Sequence, residues 1–143
     1  MTSEEKTLFG KKTSVVDLDL INSFTVLDSN TKGEPLKIQF SEPAFRGKNG
    51  LVLFYAPWCP HCRNFADDYK QLATLTKGLY PIGAINCQDT ERGNNLLADY
   101  FNIAGYPSIK VWDTGTFKDY TGGKSIKDLL QFLCLSNNLC DIF

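Results

Sequence analysis

The chain has 143 residues, 43% of them apolar and 22% charged, enough for one domain with a proper core. A formal net charge of -1 excludes the basic footprint of a nucleic-acid binder, and the longest nearly apolar run, residues 50–58, is too short to span a bilayer. Five cysteines and one histidine exclude a disulfide-dense secreted scaffold.

Residues 1–13 mix acids and lysines around Leu8 and Phe9 and are expected to form a flexible, solvated tail. They hold no apolar stretch of the roughly 7–15 residues that a secretory signal needs. A cytoplasmic placement is therefore expected, with a virion or viral assembly site, or the ER lumen after loss of a leader, as alternatives. A single domain is expected over 14–143, opening with a strand and hairpin extension over about 14–50. Residues 14–20 (SVVDLDL) alternate apolar and polar after Val16, as a half-buried strand does. Runs 24–27 and 36–40 are strand-like, and the turn formers over 28–33 make their link a hairpin or an extended loop.

Residues 51–55 (LVLFY) form a continuous apolar run, the pattern of a strand covered on both faces. Beyond it, Phe65, Ala66, Tyr69, Leu72, Ala73 and Thr76 recur at steps of three and four, which predicts an amphipathic helix ending near Lys77-Gly78. A strand over 79–86, a helix over 94–101 and strands over 108–112 and 118–121 follow, the last two separated by Asp113-Thr114-Gly115. Ile126, Leu129, Leu130 and Leu133 form one stripe on a final helix over 125–135. From residue 51 the order is strand, helix, strand, helix, strand, strand, helix, which suits an α/β sheet with helices on both faces.

The junction between that buried strand and its helix reads Trp58-Cys59-Pro60-His61-Cys62 and holds the only histidine. The spacing admits half of a zinc site, a redox dithiol, or an accident of a buried loop. Zinc needs four ligands. The remaining cysteines are Cys87, Cys134 and Cys140, and no second histidine exists, so no metal is expected. The junction places Cys59 at the helix start with Pro60 at or near its first position, where a missing N–H costs nothing. Free N–H groups and the positive end of the helix dipole favour a thiolate at Cys59, and His61 is expected to add to that. A stabilised thiolate attacks disulfides at neutral pH and also leaves readily, which makes its disulfide more oxidising. Cys62, one turn further in, suits the resolving role, and Trp58 is expected to present its ring to substrate. Cys87 and Cys134 read as small buried residues. Whether Cys140 bridges to Cys134 stays open.

These residues also resemble a family. Residues 53–62 (LFYAPWCPHC) resemble the active-site segment of protein disulfide isomerase domains, within the thioredoxin superfamily. Residues 103–110 (IAGYPSIK) resemble that family's cis-proline loop, and residues 120–124 (YTGGK) its approach to the last helix. The resemblance implies a thioredoxin fold, a central mixed sheet of four to five strands flanked by helices on both faces. It also implies a cis Tyr106–Pro107 bond facing the dithiol, beside which an extended substrate pairs. Lys124 stands where the family often carries a basic residue that swings toward the second cysteine, a possible modulator.

Three departures stand out. Leu53 replaces the family's buried acid and Ala84 the lysine that often pairs with it, so neither charge is left alone. Asp67 replaces the proline that kinks the helix. Pro60-His61 differs from the usual Gly-His and resembles the dipeptide of the DsbA family of bacterial oxidants. The reading is a thiol–disulfide oxidoreductase, isomerase- or oxidase-like and more oxidising than thioredoxin, with no cofactor beyond its own dithiol. Its implied partners are cysteine-containing proteins and an oxidase or reductase; no nucleic acid or membrane is expected. The alternatives are a thioredoxin-like reductase and a non-catalytic binding or chaperone module. In a reducing cytosol such a dithiol works as a reductase, unless a dedicated oxidase recharges it.

Overall fold

In the computed structural model residues 7–10, 12–28 and 36–142 are described. The chain runs through β1 (Val16–Leu18), α1 (Leu20–Ser23), β2 (Phe24–Asp28) and β3 (Lys37–Phe40) into β4 (Gly50–Tyr55). Then come α2 (Pro60–Leu75), β5 (Ile82–Asn86), α3 (Asn94–Tyr100), β6 (Ser108–Asp113), β7 (Thr116–Asp119) and α4 (Ile126–Asn137). Five strands make one mixed sheet in the order β1-β5-β4-β6-β7, and β2 and β3 pair separately as an antiparallel hairpin. β1 and β4 lie parallel to β5 on either side of it, while β6 and β7 run antiparallel. This is the thioredoxin fold.

β4 is central because every residue in it is buried, and successive side chains point to opposite faces. Leu51, Leu53 and Tyr55 join Phe65, Tyr69 and Leu72 of α2 and Leu129 and Leu133 of α4 in one core cluster. Val52 and Phe54 join Leu18, Phe24, Phe45, Ile85 and Leu97 in the other. Gly83 of β5 lacks a side chain because a Cβ there would lie 2.6 Å from Leu18 Cδ1. Its carbonyl accepts the buried Tyr69 hydroxyl at 2.6 Å, tying α2 to the sheet.

Several boundaries differ from expectation. The strand expected over 14–20 is cut short by α1, because Asp19 accepts from Asn22 N–H at 2.7 Å and caps a helix instead. β5 begins at Ile82 rather than Leu79: Leu79 and Tyr80 donate to the Thr76 carbonyl in a turn, and Pro81 has no N–H to offer a ladder. β7 begins at Thr116 because Thr114 and Gly115, both at positive φ, form a two-residue turn between paired Asp113 and Thr116. The turn expected over 28–33 lies, beyond Asp28, outside the described residues, as do residues 1–6 and 11 of the expected tail.

The solvated tail needs a correction where it is described. Phe9 is 3% exposed, with its ring edge-on to Tyr55 at 5.2 Å and tilted against Tyr69 at 5.7 Å. Thr7 Oγ1 and Tyr55 Oη share a hydrogen bond at 2.8 Å. An aromatic ring that reaches a core edge leaves water, and the segment follows it. At the other end Cys134 and Cys140 are bridged, and Leu139 packs against the core beside them. Cys134 is half-buried rather than a core residue.

Candidate active site

Tyr55 ends β4, and the turn that follows is closed by Cys59 N–H donating to the Ala56 carbonyl at 3.1 Å. Cys59 is the N-cap of α2 in extended conformation, Pro60 is the first helical residue, and the Cys59 carbonyl accepts from Arg63 N–H at 3.0 Å. The N-cap side chain makes no capping bond to the helix, and the first backbone N–H groups of α2 have no acceptor inside it.

The two thiols are chemically unlike. Cys59 is held below the ordinary thiol range, chiefly by the backbone N–H of Cys62; burial works against this, and the Cys62 thiol and the His61 backbone N–H add to it. Cys62 is fully buried and pushed up to about 12, mainly by burial, with its thiol donating to the Cys59 sulfur. Cys59 is therefore the more readily deprotonated sulfur of the pair, and Cys62 the one that holds its proton. Cys59 is 7% exposed, which leaves its sulfur a narrow window to the surface.

The Tyr106–Pro107 bond is cis. Cys59 Sγ lies 3.6 Å from the Tyr106 carbonyl, which accepts from the thiol. The Trp58 ring is 63% exposed and stands edge-on to Tyr106 with centroids 6.3 Å apart. Cys59, Cys62, Trp58, Tyr106 and Pro107 thus gather at one end of the sheet, with Pro60 and His61 exposed on the rim. His61 acts on Cys59 through its backbone N–H. Lys124 stands exposed in the turn ahead of α4 and is not among the leading influences on either thiol.

Beneath the dithiol, Leu53 is fully buried and pairs across the sheet with Ala84, which is 1% exposed. The two departures from the family pattern are therefore partners. Asp67 lies on α2, which runs unbroken from Pro60 to Leu75. Cys87, read from sequence as a small buried residue, is indeed 3% exposed; its thiol donates to the Ile85 carbonyl and its N–H to the Tyr55 carbonyl at 2.9 Å, at the end of the sheet from which the dithiol loop departs. Only the pairing of β5 with β4 brings it to the site. Among the described residues no group of three His, Cys, Asp or Glu side chains is placed to hold a metal ion, and no helix is long and apolar enough to cross a membrane.

Known proteins are similar to this chain. Protein disulfide-isomerase 1 of Dictyostelium discoideum is 34% identical over 90 residues, 60% of this chain and 24% of that protein. Protein disulfide-isomerase A4 of Mus musculus is 36% identical over 80 residues, 56% of this chain and 12% of that protein. The chain thus spans about a quarter or less of the length of these curated relatives. The solution structure of the first thioredoxin domain of the mouse A4 protein covers 64% of this chain and 63% of that domain at 30% identity and a TM-score of 0.51. The Trx4 domain of ERdj5 covers 92% of this chain and 99% of that domain with a TM-score of 0.56; at 22% identity it speaks for the fold alone. The family model described as Thioredoxin matches residues 37–134, a span that takes in β4, both thiols and the cis-proline. With more than half of its length inside that match, the chain belongs to the thioredoxin family.

Proposed function

We propose that the chain is a thiol–disulfide oxidoreductase acting on protein cysteines. The observation that carries this reading is the Cys59 sulfur at the start of α2, held toward its thiolate by helix N–H groups and the Cys62 thiol. The Cys59 thiolate attacks one sulfur of a substrate disulfide, forming a mixed disulfide and expelling the other sulfur as a thiolate. Cys62 then gives up its proton and attacks Cys59 Sγ, which releases the second substrate thiolate and leaves a Cys59–Cys62 disulfide. The reverse sequence oxidises a substrate dithiol. The dithiol itself carries the electrons, so no further cofactor is required.

Within that class we favour the oxidising, isomerase-like direction. A comfortable Cys59 thiolate is a good leaving group and makes the disulfide easier to reduce. Likeness to protein disulfide-isomerase domains supports the same reading. Trp58, Tyr106 and Pro107 are the proposed substrate-facing residues, Pro60 and His61 set the start of the helix, and Lys124 is a candidate modulator. The Cys134–Cys140 bridge suits an oxidising compartment, which favours the lumenal placement over the cytoplasmic one. A reductase of the thioredoxin type is the second reading.

Exchange with a fluorescent peptide disulfide tests the proposal. Cys59→Ser abolishes exchange, and Cys62→Ser accumulates a mixed disulfide on Cys59 that mass spectrometry detects. Exchange by the wild-type chain no faster than the uncatalysed background overturns the enzyme reading in favour of a binding module, and full exchange in Cys59→Ser overturns the role given to Cys59. A glutathione titration gives the direction: a potential as reducing as thioredoxin's, about -270 mV, assigns reduction instead.

A further inference from the structure

Cys134 lies in the last turn of α4, and Cys140 opens a short turn beyond it (Cys140–Ile142). Asn138 at positive φ stops the helix, and Leu139 N–H donates to the Leu133 carbonyl at 3.3 Å. Leu139 packs on the core, so the fold itself carries Cys140 back to Cys134, and the two are bridged. Holding the partners together in this way favours the disulfide over the free thiols. The surroundings also disfavour thiolates. A helix ends here with the negative end of its dipole, its last turn holds no basic residue, and Asp141 follows Cys140. The Cys140 sulfur lies 3.5 Å from the Cys134 carbonyl, a group that only accepts, so the reduced pair keeps its protons. Cys59 stands at the opposite end of a helix, where the dipole helps a thiolate leave. The chain thus carries two disulfide-forming pairs of unequal poise, the easily reduced one at a helix start and the resistant one at a helix end.

The geometry points to the reduced Cys134/Cys140 pair of a second copy of this chain as a substrate of the Cys59–Cys62 disulfide. Two copies are needed because the pairs lie at opposite ends of the sheet. Asn49, directly before β4, donates from its side chain to Asn137 Oδ1 at 3.4 Å, so α4 ends where β4 begins. The dithiol loop leaves from the other end of β4, roughly 16 Å away at about 3.3 Å of rise per residue. Cys140 is exposed and Cys134 half-buried, so Cys140 is the sulfur another copy can reach. Cys140 gives its proton to solvent and attacks Cys59 Sγ of the other copy, and Cys62 leaves as a thiolate and takes up a proton. Cys134 then loses its proton and attacks Cys140 Sγ, which expels the Cys59 thiolate. Two electrons pass from the Cys134/Cys140 dithiol to the Cys59–Cys62 disulfide, and no other oxidant is required.

The inference rests on the exchange activity proposed above, and its test separates the two. Cys134→Ser/Cys140→Ser, oxidised at Cys59–Cys62, is mixed without oxygen with fully reduced Cys59→Ser/Cys62→Ser. Acid quench, alkylation and peptide mass follow both pairs. The donor bridge is expected to disappear as the acceptor bridge forms, with an equilibrium at least tenfold in favour of the acceptor, about 30 mV. If either variant fails to fold, isotope-labelled reduced wild type mixed with unlabelled oxidised wild type reads the transfer. A glutathione titration of the wild-type chain then reads the order of the two pairs. An equilibrium constant at or below one, or transfer no faster than oxidation by glutathione disulfide at the same concentration, overturns the inference. When that donor still oxidises a peptide dithiol, the proposed function stands; a donor inert toward both removes both.

Discussion

Leu53 faces the same core as the buried Cys62, whose thiol burial has pushed up to about 12, and the residue paired with it is Ala84. To attack Cys59 in a mixed disulfide, Cys62 has to lose that proton. Both β4–β5 partners at this level are apolar, so neither supplies a base. In the proposed cycle resolution is then expected to be the slow half, and attack the fast half. Leu53→Glu is expected to speed release from the mixed disulfide by roughly tenfold, below the roughly hundredfold or more that a fully positioned base supplies. Acid quench and mass analysis of the intermediate measure this rate. Leu53→Gln, alike in shape but unable to take a proton, leaves the rate where it is. Equal rates in Leu53→Glu and wild type refute the role given to this position. The acidic variant also folds less stably, because a carboxylate without a partner resists burial.

At the scale of elements, the join between the first strand and the third helix depends on one cation. Arg92 reaches Asp17 on β1 at 2.9 Å, Asp19 at the α1 cap at 3.1 Å and Asp89 ahead of α3 at 2.7 Å. Asn94 adds to the join by accepting from Leu20 N–H at 3.1 Å. Arg92→Met leaves three carboxylates crowded together, one of them on Asp19, whose side chain is only 4% exposed. Since the arginine is partly solvated, the expected loss is about 2–3 kcal/mol, below that of a fully buried pair. A urea midpoint displaced toward lower concentration, with an unchanged slope, registers it. Asp17→Asn, at the more exposed partner, costs less. This join also marks a limit of reading by pattern. The strand over 50–55 and the helix after it follow from an unbroken apolar run and a three-and-four rhythm, both local signals. The α1 turn hides inside an alternating stretch because one acid at position 19 caps a helix there. The dithiol was legible because its parts are neighbours in sequence. The seat of Cys87 against the end of β4 was not, because it arises only when β5 lies beside β4. Phe9 escaped for a similar reason: its burial depends on Tyr55 and Tyr69, far along the chain.

The molecule as a whole buries many weak acids. Tyr55 is pushed up to about 12, Cys87 to about 11 and Cys62 to about 12, in each case mainly by burial, and Tyr69 lies well above its ordinary value. Groups raised in the folded state contribute stability that is complete below their unfolded values, 9.0 for thiols and 10.0 for phenols. That stability drains away as pH climbs through the folded values. Cys59 has the opposite sign: its depressed value adds stability above the unfolded 9.0, which is lost as pH falls through the folded value. The reduced chain is therefore expected to grow more stable up to about pH 9 and then to weaken by about 1.4 kcal/mol per pH unit for each group involved. With the Cys59–Cys62 disulfide formed, neither of these thiols titrates, so the rise disappears and the alkaline fall is shallower by one group. Urea midpoints at several pH values, taken on both redox forms, check this; identical profiles for the two forms contradict it.

The edge-on seat of Phe9 against Tyr55 bears on where this domain can be cut. A fragment trimmed to the 37–134 span of the family match sheds that ring, β1 and the bridge to Cys140 together. Its β5 then offers bare amides and carbonyls to any passing strand, an invitation to sticky self-association.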